Sequence, residues 1–225
     1  MKKLFTLALI IFLSQPIYAQ SQSEYSYSIG FKLYGYGEFP KLMNEIKGSE
    51  DYRSSSFNAL VFKFNDNQMS YRIIGARYTN DKYSFKNLCK DCETVTGKYT
   101  DFTAKIGFER NVLYGIVQPY YGVDLGYRKI DFDGSGRDNN SGQGYNITVE
   151  KNGGIVYPFM GVKINILNSR LTLAGELGVD VLYSHDKETK TDNANNLINL
   201  SNFRRWGFYN QPLGQLSLQF NFGNQ

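Results

Sequence analysis

The chain reads as all-β, an eight-stranded antiparallel up-and-down transmembrane β-barrel, and three patterns predict it. Eight stretches alternate bulky apolar residues with small, polar or charged ones. The connections between them alternate long and short, and charges of both signs fall opposite the apolar rows. A period of two puts one set on each face of a strand. Short turns at one end, long loops at the other and an even strand number are the habit of barrels that cross a bilayer. A soluble sandwich has turns of mixed length and needs its inner faces apolar.

Residues 1–19 read as a signal peptide, with Lys2 and Lys3, the apolar run Leu4–Leu13 and cleavage after Ala19. That run is too short for a spanning helix, and no later run approaches the roughly 18 apolar residues one needs. The barrel domain is then 20–225. Losing two lysines lowers the formal charge of +4 to +2, which gives no case for nucleic acid. Eighteen Tyr and sixteen Phe against one Trp suit interfacial aromatic girdles.

The first strand alternates Tyr27, Ile29, Phe31 and Leu33 with Ser28, Gly30 and Lys32. A polar stretch, Glu38–Ser55, follows, with a possible helical turn over Leu42–Ile46. The second and third strands carry Leu60, Phe62 and Phe64, then Met69, Tyr71 and Ile73, around the turn signal Asn65-Asp66-Asn67. Thr79–Val95 reads as a long loop. The fourth strand shows Phe102, Ala104, Ile106 and Phe108. A short turn at Glu109–Leu113 leads to the fifth, Tyr121, Val123, Leu125 and Tyr127. After a Gly/Asn/Asp-rich loop, Asp131–Tyr145, the clearest hairpin follows. Val156, Met160, Val162, Ile164 and Ile166 run to a turn at Leu167–Arg170, and Leu171, Leu173, Leu177, Val179, Val181 and Tyr183 return from it. A last loop, Ser184–Arg205, precedes Leu216, Leu218, Phe220 and Phe222. Pro119, Pro158 and Pro212 each remove a ladder donor, so bulges are expected there, with a phase shift near Pro158 where Tyr157 and Phe159 face inward by parity.

By the same parity Lys32, Lys63, Arg72, Lys105, Arg128 and Lys163 face inward with Asp101, Asp124, Glu176 and Asp180. Charges facing lipid cost several kcal/mol near the midplane, so the lumen is their place. A paired network of Arg72, Lys105, Asp124, Arg128, Lys163, Glu176 and Asp180 is expected to fill a bore that eight strands leave only wide enough for side chains.

Candidate chemistry elsewhere is sparse. Cys89-Lys90-Asp91-Cys92 has the spacing of a zinc half-site or redox motif, but a second ligand pair and a thioredoxin-like context are both missing. A local Cys89–Cys92 disulfide in an oxidising compartment is the preferred reading. Tyr183-Ser184-His185-Asp186 invites a hydrolase reading, yet neighbours on a strand point to opposite faces, so Ser184 and His185 do not pair readily. Gly134-Ser135-Gly136 lacks the strand-to-helix setting of a nucleophile elbow. Asp131-Phe132-Asp133-Gly134 lacks the later Glu of a calcium loop.

Signal peptide, eight alternating strands, loop asymmetry and the aromatic last strand together resemble the small eight-stranded outer-membrane barrels of Gram-negative bacteria. That group includes the transmembrane domain of outer membrane protein A, and outer membrane protein X. The resemblance is one of architecture over nearly all of the mature chain. It implies an outer-membrane location, contact with lipid and lipopolysaccharide, and a structural or cell-surface role without catalysis or cofactor. It also implies a monomer whose long loops could meet an external ligand. In that group a terminal aromatic is read by the barrel-insertion machinery. Phe220 and Phe222 stand in the matching strand, although Gly223-Asn224-Gln225 follow them. The rival readings are a lipid-modifying hydrolase, a narrow-pore transporter and an exported soluble sandwich.

Overall fold

The computed structural model describes residues 25–43, 52–66, 69–87, 93–137 and 142–224. The predicted signal peptide, both cysteines and residues 44–46 of the expected helical turn lie outside them. Nine strands make one antiparallel sheet: β1 (Tyr25–Glu38), β2 (Tyr52–Ser55), β3 (Ala59–Asp66), β4 (Met69–Lys86), β5 (Thr94–Asn111), β6 (Val117–Arg137), β7 (Gly144–Ile166), β8 (Leu171–Asp192) and β9 (Leu197–Asn224). Each strand from β3 onward pairs with the next, and β9 pairs back onto β1, so the sheet closes in a ring.

The ninth strand, β2, lies in the stretch Glu38–Ser55 expected to be a polar connection, and the expected second strand is β3. β3 pairs with Tyr27–Phe31 of β1, while β2 pairs with Gly35–Glu38 farther along it. Between them Phe57 takes a φ of 51°, rare for a residue with a side chain. Its N–H bonds the Lys32 carbonyl at 3.0 Å. β1 itself slips register between Lys32 and Tyr36 against β9, so the outward row passes from Phe31 to Tyr34 and Leu33 is half-buried rather than outward.

Most of the expected long loops are strand. β4 and β5, β6 and β7, and β8 and β9 run on together well past the apolar rows, to pairs such as Arg137–Gly144 and Thr191–Leu197. The alternation continues there with its polarity reversed. On β6 the outward Tyr121, Leu125 and Tyr127 are exposed, and the inward Asp124 and Arg128 are buried. Two residues farther on, Ile130 and Phe132 point in and are buried. β7 reverses the same way between Val149 and Val156, and β5 between Tyr99 and Phe102. One stretch of each wall is thus apolar outside and charged inside, and the rest is an ordinary two-faced sheet with Tyr83, Phe85, Val95, Tyr99, Ile130, Phe132, Tyr145, Ile147 and Val149 as its core. Leu42, wholly buried, joins that core, with Phe39 and Met43 packed against it. The chain after β1 therefore folds back into the ring and closes its long-hairpin end.

The prolines divide. At Pro212 the β8–β9 register shifts by two between Glu176–Gln215 and Gly178–Gln211, the expected bulge. Pro119 and Pro158 sit in register without one. At Pro158 the ladder to β8 lapses over two residues and resumes unshifted, so a local gap absorbs the missing donor. Strand phase holds, and Tyr157 and Phe159 are simply inward aromatics, both buried. The fourth-to-fifth turn is also displaced, because Glu109, expected in it, lies within β5.

Candidate functional site

The interior of the ring is layered from the short-turn end upward. An open vestibule of about 490 Å³ comes first, lined by amides and hydroxyls such as Asn65, Ser70, Asn111, Asn165, Thr172 and Asn221. These bond one another: Thr172 donates to Asn165 Oδ1 at 2.8 Å, and Asn221 Nδ2 donates to Thr172 Oγ1 at 2.9 Å.

Above it lies the first charge layer. Arg72 donates to both oxygens of Asp124, Nε at 2.7 Å and Nη2 at 2.6 Å, and its Nη1 reaches Glu176 at 2.7 Å and Glu109 at 3.3 Å. Glu109 also receives Lys63 at 2.8 Å and Lys163 at 2.6 Å. Tyr120 donates its hydroxyl to Glu176 at 3.2 Å. The second layer centres on Arg128, which forks onto Asp101 and reaches Asp180 at 3.2 Å. In the third, Asp186 is shared by Lys151 at 3.2 Å and Arg205 at 2.7 Å. Lys151 and Arg205 both also donate to the Lys41 carbonyl of the returning segment, which fastens the closure to the network.

The inward aromatics serve the cations. The Arg72 guanidinium lies 3.6 Å over the Phe159 ring and Lys105 Nζ lies 3.9 Å over Tyr157, a favourable use of the ring face. Glycines opposite the long side chains make the room. A Cβ at Gly107 would lie 2.3 Å from Asp124 Oδ1, and one at Gly122 would lie 2.5 Å from the Phe159 ring.

All seven residues of the expected network face the interior. Arg72, Asp124, Arg128, Lys163, Glu176 and Asp180 are buried and paired. Lys105 is peripheral, 3.9 Å from Asp124, with most of its contact to Tyr157. Glu109, the hub for two lysines, is hidden in sequence by its place in the expected turn Glu109–Leu113, although one more step of the Lys105–Gly107 row reaches it. Lys151, Asp186 and Arg205 lie beyond the apolar rows, where the sequence shows no lumen-facing pattern to place them. Phe220 and Phe222 project outward at the short-turn end, opposite Ile29 and Tyr27.

Compared with known proteins, the chain matches no family model and no curated sequence.

The alternative chemistry finds no assembled site among the described residues. Ser184 is buried and inward while His185 is exposed on the opposite face. Asp131 and Asp133 lie on the outer face, held by Lys129 at 3.0 Å and Thr148 at 3.0 Å respectively.

The outer surface completes the picture. Around the charged layers it carries Leu60, Ile73, Ile106, Leu125, Met160 and Leu177, each at least half exposed. Exposed aromatics flank them on both sides. Tyr27, Phe64, Tyr71, Phe108 and Phe222 lie toward the short turns, and Phe102, Tyr127, Tyr183, Trp206 and Phe208 toward the long hairpins.

Proposed function

We propose that the chain is an eight-stranded outer-membrane β-barrel of a Gram-negative bacterium, with a plugged lumen and a structural or cell-surface role. β2 and β3 together count as one position in its wall. The observation that carries the reading is the inversion of polarity confined to one belt. A water-soluble ring would hide Leu60, Ile106 and Leu125 and expose Arg72 and Glu109, and this one does the reverse. On β7 the belt spans Val156–Ile166, which for a strand tilted as barrel strands are gives a height of about 25 Å, that of a lipid-facing band. Aromatic girdles at both edges suit the two interfaces. Lipid and lipopolysaccharide are then its immediate partners, and Phe220 and Phe222 its signal to the insertion machinery. The long hairpins carry whatever contact is made outside.

Detergent electrophoresis tests this directly. The folded protein is expected to fractionate with membranes and to migrate faster unheated than heated. Recovery in the soluble periplasmic fraction with identical migration overturns the reading.

A further inference from the structure

The wall is not closed to the same height all round. β3 pairs with β4 as far as Ala59 opposite Ala76, and one further bond joins Arg77 N–H to the Asn58 carbonyl at 2.8 Å. Beyond it the chain turns through Phe57, and β2 pairs with β1 alone. Among the described residues, no strand pairing covers the rest of β4 on that side.

Two spaces meet at this notch. Outside, a groove of about 570 Å³ runs between Phe31, Phe57, Leu60, Gly75 and Phe102. A Cβ on Gly75 would meet nothing within 4 Å, so the trough is open at its floor. Inside, a chamber of about 100 Å³ is bordered by Lys32, Lys105 and Tyr157. Asn58, Ala59, Ala76 and Arg77 line both, so the paired ends of β3 and β4 form the rim between them.

The groups around the notch are unspent. Tyr157 is 2% exposed, yet its hydroxyl has no hydrogen-bond partner, and neither has the buried Asn58 Oδ1. Lys32 and Arg77 have no carboxylate within 4.0 Å among the described residues. The acids of the chamber are engaged elsewhere, Asp101 and Asp180 with Arg128 and Glu176 with Arg72. What remains is two cations and a hydroxyl donor, which call for an anion, beside an aromatic trough that calls for a hydrocarbon chain. Arg77, opposite Phe102 at the edge of the belt, stands at headgroup depth.

We propose that the notch binds one long-chain fatty-acid anion. Its tail lies in the groove along Phe31, Phe57 and Leu60, and its carboxylate sits at Arg77 and reaches toward Lys32 and the Tyr157 hydroxyl. The two oxygens of a carboxylate match a guanidinium on one side and an ammonium or hydroxyl donor on the other. The inference rests on the membrane-barrel reading, because the groove meets acyl chains only if the belt does.

The test uses full-length protein with Phe57→Trp and Trp206→Phe in non-ionic detergent, titrated with dibrominated stearate and with its methyl ester. Heat-dependent migration of the same sample reports the fold, so loss of the barrel and loss of binding are read separately. Saturable quenching of the introduced indole is expected from the acid, reversed by unlabelled stearate and about tenfold weaker for the ester. Arg77→Glu should weaken it about tenfold, and Gly75→Phe, which fills the trough, should remove the saturable phase. Equal, non-saturating quenching by acid and ester is ordinary solvation and overturns the proposal. Preference for a brominated lysophosphatidylglycerol, or indifference to both variants in a heat-modifiable protein, overturns it too.

Discussion

Arg128 shows what the interior asks of a single side chain. Its guanidinium is 5% exposed and engages Asp101 and Asp180, while Gln211 donates at 3.1 Å to the same Asp180 oxygen, Oδ2, that Arg128 reaches. A buried charge is tolerable while its partner is present and costly once alone. Arg128→Met leaves Asp101 unpaired and is expected to cost about 3–5 kcal/mol in folding titrations into lipid vesicles. Arg128→Met with Asp101→Leu removes both ends of the fork and leaves Asp180 its amide, so the double variant should lose less than the single one. A double variant worse than the single one would mean that the fork itself, not the orphaned carboxylate, sets the stability. At Cys89 and Cys92 the compartment decides the chemistry. Denatured, unreduced protein exported by its host is expected to show no free thiol on labelling, and stoichiometric labelling would overturn the disulfide.

At the scale of the strand, the apolar belt was legible and its continuation was not. Val156–Ile166 and Leu171–Tyr183 declare a two-residue period because, Pro158 and Gly175 apart, every other residue is bulky and apolar. From Tyr145 to Asn152 the period persists, but the apolar residues Tyr145, Ile147 and Val149 have moved to the inward parity. A reading that follows one row sees the pattern end there. The break at Phe57 was equally hidden, since neither glycine nor proline marks it. Facing can be tested on β8. Leu177 is half exposed in mid-belt, and Leu177→Arg is expected to cost about 2–4 kcal/mol, with Leu173→Arg nearer the short turn costing less. Thr172→Arg enters the roomy vestibule and should cost less still. Equal penalties would mean that the faces are wrongly assigned.

The β8–β9 hairpin tip, outside the belt, carries a pH-dependent element. Asp192 accepts from the Asn196 side chain at 2.9 Å, and from the backbone N–H groups of Asn196 and Ala194, both at 2.8 Å. The Asn196 bonds hold its carboxyl below the usual range. A depressed value means that the carboxylate's contribution is present above the ordinary aspartate pKa of about 3.9 and is lost as pH falls through the lower folded value. The Asn196 amide resonance should therefore titrate with a midpoint below about 3.9, and Asp192→Ala should abolish the transition. A midpoint at or above that value would mean that the tip is unbonded in solution.

On the scale of the whole molecule, the question is whether the ring conducts. Small inward residues such as Gly122, Gly126 and Gly178 suggest gaps that water could fill, and from sequence alone they weigh against a plug. The structure turns that argument round. A Cβ at Gly178 would lie 2.6 Å from the Tyr157 ring, and one at Gly126 would lie 2.8 Å from the Lys105 side chain, so these glycines are seats for large neighbours. The bore is then crossed by three successive charge layers, two of them organised by forked arginines. The long-hairpin end is stopped by Leu42 and the aromatic core around it. The vestibule at the other end is open, but its floor is the Lys63–Glu109–Lys163 cluster. An ion would have to pull apart pairs that lie at 2.6–2.8 Å and 0–8% exposed, and then pass an apolar core where nothing replaces its hydration. Purified protein in planar bilayers is therefore expected to show no steady conductance of general-porin size. Glu109→Gln, which strips the countercharge from both lysines, is the variant expected to loosen the plug and give brief, irregular openings. Large, single-sized openings in the unaltered protein would refute the plug and make a narrow-pore transporter the better reading.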